Sequence, residues 1–173
     1  LRLLTLVFSL LSCASGYTAE TITADVCIYG GTSGGVAAAV QAARMGKQTI
    51  LIEPGGHLGG MTSGGLSAVD IGDPRSVGGF AREYFTRLVA SYGKQLAWDK
   101  AFESKGGPAT GGAYSIEPHV AEKVFTDMAK EAGVTVYMHA RLVKVQKQGA
   151  RITGFTTEDG RTFAAKMFID ATY

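Results

Sequence analysis

Apolar and polar positions alternate along the chain on two periods, and the switches between them divide it into elements. Asp25-Val26-Cys27-Ile28-Tyr29 is a short apolar run that stops on Gly30-Gly31, the pattern of a buried strand. From Gly34 to Met45 the chain is rich in Ala, with Val36 and Val40 on one face and Gly46 as a stop signal, which predicts a helix. Gln48-Thr49-Ile50-Leu51-Ile52 is a second buried strand. Strand, Gly turn, helix and strand in close succession make a βαβ unit, which is almost always right-handed.

Residues 54–79 form a long Gly-rich loop, and loops of that length in compact domains are functional or disordered. Phe80, Tyr84, Leu88 and Tyr92 recur every fourth residue and predict an amphipathic helix over 80–92. Residues 93–113 carry little periodicity. Ser115-Ile116-Glu117-Pro118 opens a third helix with Pro in its first turn, apolar at Val120, Val124, Phe125 and Met128 and ended by Gly133. Val134 to Met138 is a third apolar strand. Segments 142–148, 151–157 and 162–165 alternate with more polar positions, and Asp159-Gly160 is a hairpin signal, so they predict an antiparallel meander. Phe168-Ile169-Asp170-Ala171-Thr172 reads as a last apolar strand. A stop at Tyr173, directly after that strand, predicts a fragment of a longer protein.

The start of the chain differs from the rest. Arg2 precedes the apolar run from Leu3 to Leu11, and small residues from Ser12 to Gly16 follow. This is the layout of a signal peptide over 1–20, and the run is shorter than the ~20 residues that span a bilayer. Leu10-Leu11-Ser12-Cys13 also resembles a lipoprotein cleavage box, which would attach the protein to a membrane through a lipid on Cys13. The expectation is an exported bacterial protein of the periplasm or cell envelope. Residues 17–24 read as a polar linker to a domain over 21–173.

Composition narrows the function. Of the 173 residues 24 are Gly, about 14%, and 14 of those lie between Gly30 and Gly79, which places backbone close against something. Formal net charge is +2 with no long basic run, so no nucleic-acid partner is expected. Cys13 and Cys27 form no metal-ligand spacing, and neither a metal site nor an iron–sulfur cluster is expected in this segment.

Gly30-Gly31-Thr32-Ser33-Gly34-Gly35 has the G-x-G-x-x-G frame of a dinucleotide turn, with Thr32 at the middle Gly. It follows a strand and opens a helix, whose first N–H groups would meet a pyrophosphate at the positive end of the helix dipole. The Thr32 hydroxyl could donate to a phosphate oxygen. Glu53 stands 23 positions after Gly30, at the end of the second strand, where a carboxylate accepts ribose hydroxyls and repels a 2′-phosphate. The Gly-rich loop that follows, with Gly59 and Gly60, suits a long flavin cofactor better than a nicotinamide one. An NAD-dependent dehydrogenase and an exported nonenzymatic dinucleotide-binding module are the competing readings.

The run from Asp25 to Gly65 resembles the FAD-binding start of FAD-dependent oxidoreductases of glutathione-reductase-like topology, in particular bacterial members with a YGGT-type turn followed by IEP and HLGGM. Glu117-Pro118-His119-Val120-Ala121-Glu122 and Ile169-Asp170-Ala171-Thr172 are similar to the same family. The resemblance implies an α/β, Rossmann-like FAD-binding domain: a parallel sheet with an inserted three-strand antiparallel β-meander, incomplete at its C-terminus and lacking its substrate domain. It implies FAD as cofactor, a small-molecule substrate and a separate electron acceptor. It assigns Gly30 to Gly35 to the pyrophosphate, Glu53 to the adenosine ribose, and Gly59, Gly60 and Met61 to the flavin side. It gives Val143 a backbone contact with the adenine and puts Ala171 and Thr172 at the small-residue strand end beside the cofactor. His57 has three readings: a covalent bond to the flavin, a noncovalent contact, or a solvent-facing loop residue. His119 and His139 read as helix-surface and strand residues rather than catalytic ones. No catalytic residue is assigned.

Overall fold

The computed structural model describes residues 21–69, 71, 73–98, 101, 107 and 111–173. The expected signal segment 1–20 and Cys13 lie outside the described residues.

The βαβ unit forms as its pattern predicts. Strand β1 (Thr21–Tyr29) leads into helix α1 (Ser33–Arg44) and strand β2 (Thr49–Ile52), which pairs parallel to β1 with Cys27 opposite Ile50 and Tyr29 opposite Ile52. Helix α1 buries Val36, Ala39 and Val40 against the sheet. Two single 3-10 turns, Gly60–Thr62 and Pro74–Ser76, punctuate the long loop before helix α2 (Gly79–Ala90). Helix α3 (Pro118–Glu131) begins on Pro118, where a missing N–H costs no helix bond, and leads into β3 (Thr135–Tyr137). Strands β4 (Leu142–Gln148), β5 (Arg151–Thr157) and β6 (Thr162–Asp170) complete one six-stranded sheet of order β3-β2-β1-β6-β5-β4.

Two segments differ from the sequence pattern. The third strand of the meander and the closing apolar strand are one nine-residue strand, β6. Its first residues pair antiparallel with β5 (Phe155 opposite Phe163), and its whole length pairs parallel with β1, from Thr21 opposite Thr162 to Tyr29 opposite Asp170. Lys166 interrupts the apolar pattern in mid-strand because it bonds Asp25 of β1 at 2.6 Å, and that charge pair hides the continuity of the strand. The same pairing draws residues 21–24, read as linker, into β1.

The helices cover one face of the sheet. Their core centres on an aromatic stack in which Phe125 of α3 lies 4.1 Å from Tyr84 and 6.4 Å from Phe80 of α2, ring centroid to centroid. On the other face Cys27, Ile50 and Ile52 pack with Ala140, Phe155 and Phe163. The Tyr137 ring of β3 meets Phe163 of β6 at 5.1 Å although two strands separate them. Neighbouring strands lie ~4.8 Å apart, so this contact requires the antiparallel end of the sheet to curl over the parallel part. Tyr29 fastens the curl, because its ring meets Phe155 edge-on and its hydroxyl accepts the N–H of Leu142 at 2.9 Å.

Candidate dinucleotide site

The turn between β1 and α1 is built by exclusion. Gly30 has φ +105°, and a Cβ there would stand 2.8 Å from the backbone of Ala171 and Thr172. A Cβ on Gly35 would run into the carbonyl oxygen of Gly30, so α1 can start this close to β1 only with Gly at that position. Thr32 replaces the usual middle Gly without strain, because φ −64° and ψ 169° are open to any residue. It is the N-cap of α1: its Oγ1 accepts the N–H of Gly35 at 3.1 Å and donates to the carbonyl of Ala171 at 2.8 Å. The hydroxyl proton expected to reach a phosphate is therefore committed to the chain itself, and it ties the turn to the end of β6.

No described residue accepts from the N–H of Ser33 or Gly34. The α-carbon of Gly34 is open as well, since a Cβ there would meet only Thr32 Oγ1, at 3.7 Å. The first turn of α1 holds no acidic side chain. Two free donors on an unobstructed helix start, at the positive end of its dipole, form an anion site.

Glu53 stands at the end of β2 and bridges two segments. Its Oε2 accepts the N–H of Gly31 and its Oε1 the N–H of Gly55, both at 2.6 Å. Each oxygen keeps a second lone pair for a ligand hydroxyl. Leu58, 1% exposed, seats the following loop beneath Gly31, and the N–H of Gly59 donates to the Gly31 carbonyl at 2.7 Å. Gly59 adopts φ +102° directly over the Phe125 ring, where a Cβ would lie 2.6 Å from a ring carbon. Met61 is exposed, and its N–H donates to the Tyr173 hydroxyl at 2.8 Å.

The structure thus brings Gly30 to Gly35, Glu53, Gly59 to Met61 and Ala171 to Thr172 into one contiguous edge at the carboxyl ends of β1, β2 and β6. This is where open α/β sheets bind ligands. Val143 lies apart from that cluster. The register of β4 slips between Leu142 and Lys144, so Val143 is a bulge residue that opposes no residue of β5, and it is exposed. A bulge leaves its extra residue unpaired in the strand ladder. His57 is solvent-facing and held by α3: its side chain is 84% exposed, and Nδ1 lies 3.0 Å from Oε2 of Glu122. Glu122 also accepts the N–H of Leu58 at 3.0 Å. Sequence reasoning missed Glu122 and Tyr173 as loop anchors, since their partners are 64 and 112 residues away and leave no local signal.

Two buried groups, one on each face of the sheet, have no ionising role. Burial pushes the Cys27 thiol up to about 12 and raises the Tyr84 phenol still further. The Tyr84 hydroxyl is buried with no hydrogen-bond partner. Among the described residues no three His, Cys, Asp or Glu side chains converge as metal ligands, and no helix is long and apolar enough to cross a membrane.

Residues 25–173 match the model of the FAD dependent oxidoreductase family, and the chain belongs to that family. Solved structures share the fold at low identity. L-proline dehydrogenase from P. horikoshii matches with a TM-score of 0.57 at 14% identity, over 88% of this chain and 54% of its own. A flavoprotein/dehydrogenase from Cytophaga hutchinsonii matches with a TM-score of 0.57 at 16% identity, over 87% of this chain and 39% of its own. A flavin-containing monooxygenase from Stenotrophomonas maltophilia matches with a TM-score of 0.54 at 19% identity, over 87% of this chain and 38% of its own. The chain therefore spans about 40–50% of the length of these proteins. No curated protein matches it significantly.

Proposed function

We propose that this chain is the FAD-binding portion of an oxidoreductase that moves a hydride, or two electrons, between a small organic substrate and FAD, with a separate electron acceptor. The observation that carries this reading is the pairing of two free N–H donors, at Ser33 and Gly34, with a Glu53 carboxylate bonded to the same turn. The residues fit the group. The donors would bind the diphosphate, Glu53 would accept ribose hydroxyls, and the backbone of Gly59 to Met61 would line the flavin side. FAD supplies the redox chemistry when bound, and the chain supplies position and electrostatics. The substrate, the acceptor and the remaining machinery belong to the whole protein. Export across a bacterial inner membrane, with or without a lipid on Cys13, is the reading that Arg2 and the apolar run Leu3 to Leu11 support.

Purified protein titrated with FAD should become yellow and retain the colour through gel filtration. Protein that binds NAD and not FAD would overturn the assignment. A covalent bond between His57 and the flavin is the finer possibility. After acid precipitation, colour in the pellet supports the bond and colour in the supernatant removes it.

A further inference from the structure

The similarity of Glu117 to Glu122 to a family motif leaves open what that motif does, and the geometry gives it a role. Glu122 lies in the first turns of α3 and reaches back to the Gly-rich loop. Oε1 takes the N–H of Leu58 at 3.0 Å, while Oε2 meets His57 Nδ1 at 3.0 Å. An ionised carboxylate only accepts hydrogen bonds, so in a neutral His57 the proton must sit on Nδ1. Nε2 is then left with a bare lone pair. The ring borders an open cleft of about 460 Å³ shared with Gly60, Ser63, Gly64, His119 and Glu122. His119 does not compete for the clamp, because its Nε2 lies 3.7 Å from Glu117 at the start of its own helix.

We propose that Glu122 is a positioning residue for His57: it fixes the Nδ1–H tautomer and so presents Nε2 as the proton acceptor of this cleft. The role rests on the oxidoreductase reading. A substrate oxidised by two electrons loses a hydride from carbon and a proton from O–H or N–H. FAD, when bound, would supply the hydride acceptor; Nε2 of His57 would take the proton, and the Glu122 carboxylate would stabilise the resulting imidazolium.

The test is the ring tautomer, read by long-range ¹H–¹⁵N correlation of the FAD-supplied protein, with His57 assigned by loss of its signals in His57→Gln. Wild-type protein should show Nδ1–H with Nε2 unprotonated. In Glu122→Gln the amide oxygen can keep the Leu58 N–H while the amide NH₂ faces Nδ1, so the tautomer should invert to Nε2–H. Both ring nitrogens then lack a free lone pair, and carbethoxylation of His57 by diethyl pyrocarbonate should slow severalfold. A wild-type His57 in the Nε2–H form overturns the proposal by itself, whether or not the variant folds. So does an unchanged tautomer in a folded Glu122→Gln. Protein that takes up no FAD sinks the oxidoreductase reading, whereas FAD-bound protein with an Nε2–H His57 sinks only this one.

Discussion

The N–H of Gly31 donates to Oε2 of Glu53 at 2.6 Å across 22 residues of sequence. This single bond joins the turn between β1 and α1 to the carboxylate at the end of β2, the group proposed above to accept ribose hydroxyls. Glu53 therefore organises the turn, and its proposed contact with ribose can be separated from that role by measurement.

Replacing Glu53 with Ala should remove two charge-assisted backbone bonds, at about 1.5–3 kcal/mol each before relaxation. Thermal unfolding of the ligand-free protein should show the loss, and calorimetric titration should show FAD affinity falling by more than tenfold. Unchanged stability together with weakened binding would confine Glu53 to the ligand.

Neighbouring glycines at the start of α1 should behave in opposite ways. Gly35→Ala sets a methyl group into the Gly30 carbonyl and must push α1 away from β1, with a loss in the range of overpacking, about 1–3 kcal/mol or more. Gly34→Ala meets only Thr32 Oγ1 at 3.7 Å and gains helix propensity, so the ligand-free fold should hold or improve by up to about 1 kcal/mol. Denaturant unfolding of the two variants decides it.

Tyr84→Phe deletes a buried hydroxyl that has no partner. Removing an unsatisfied polar atom should leave stability unchanged or raise it by about 1 kcal/mol. A fall in the unfolding midpoint would mean that water or a ligand satisfies the phenol in solution.

Asp159 gives the hairpin between β5 and β6 a pH dependence. The Arg161 guanidinium first, and the Thr157 hydroxyl after it, hold its carboxyl well below the usual carboxylate range. The folded state therefore favours the ionised form. The contribution is fully present above the unfolded value of ~3.9 and fades as pH falls below it toward the folded value. Urea unfolding across that acid range should show a shallower loss for Asp159→Asn than for wild type.

The sequence by itself determined the parts whose causes are local. A β-run ending on Gly30, an Ala-rich helix stopped at Gly46 and an acid at position 53 specify a βαβ dinucleotide unit, because each signal is a property of neighbouring residues. Pro118 and Asp159-Gly160 likewise marked a helix start and a hairpin. Tertiary structure decided what depends on distant partners. It joined residues 162–170 into one strand because β1 supplies a parallel edge along the whole length. It committed the Thr32 hydroxyl to Ala171, 139 residues away, and turned His57 toward Glu122, 65 residues away. A side chain's hydrogen-bond partner is set by which backbone and side-chain atoms the fold brings within about 3 Å. No local pattern encodes that choice, so the sequence supplied the cofactor turn and the fold supplied the positions of the groups around it.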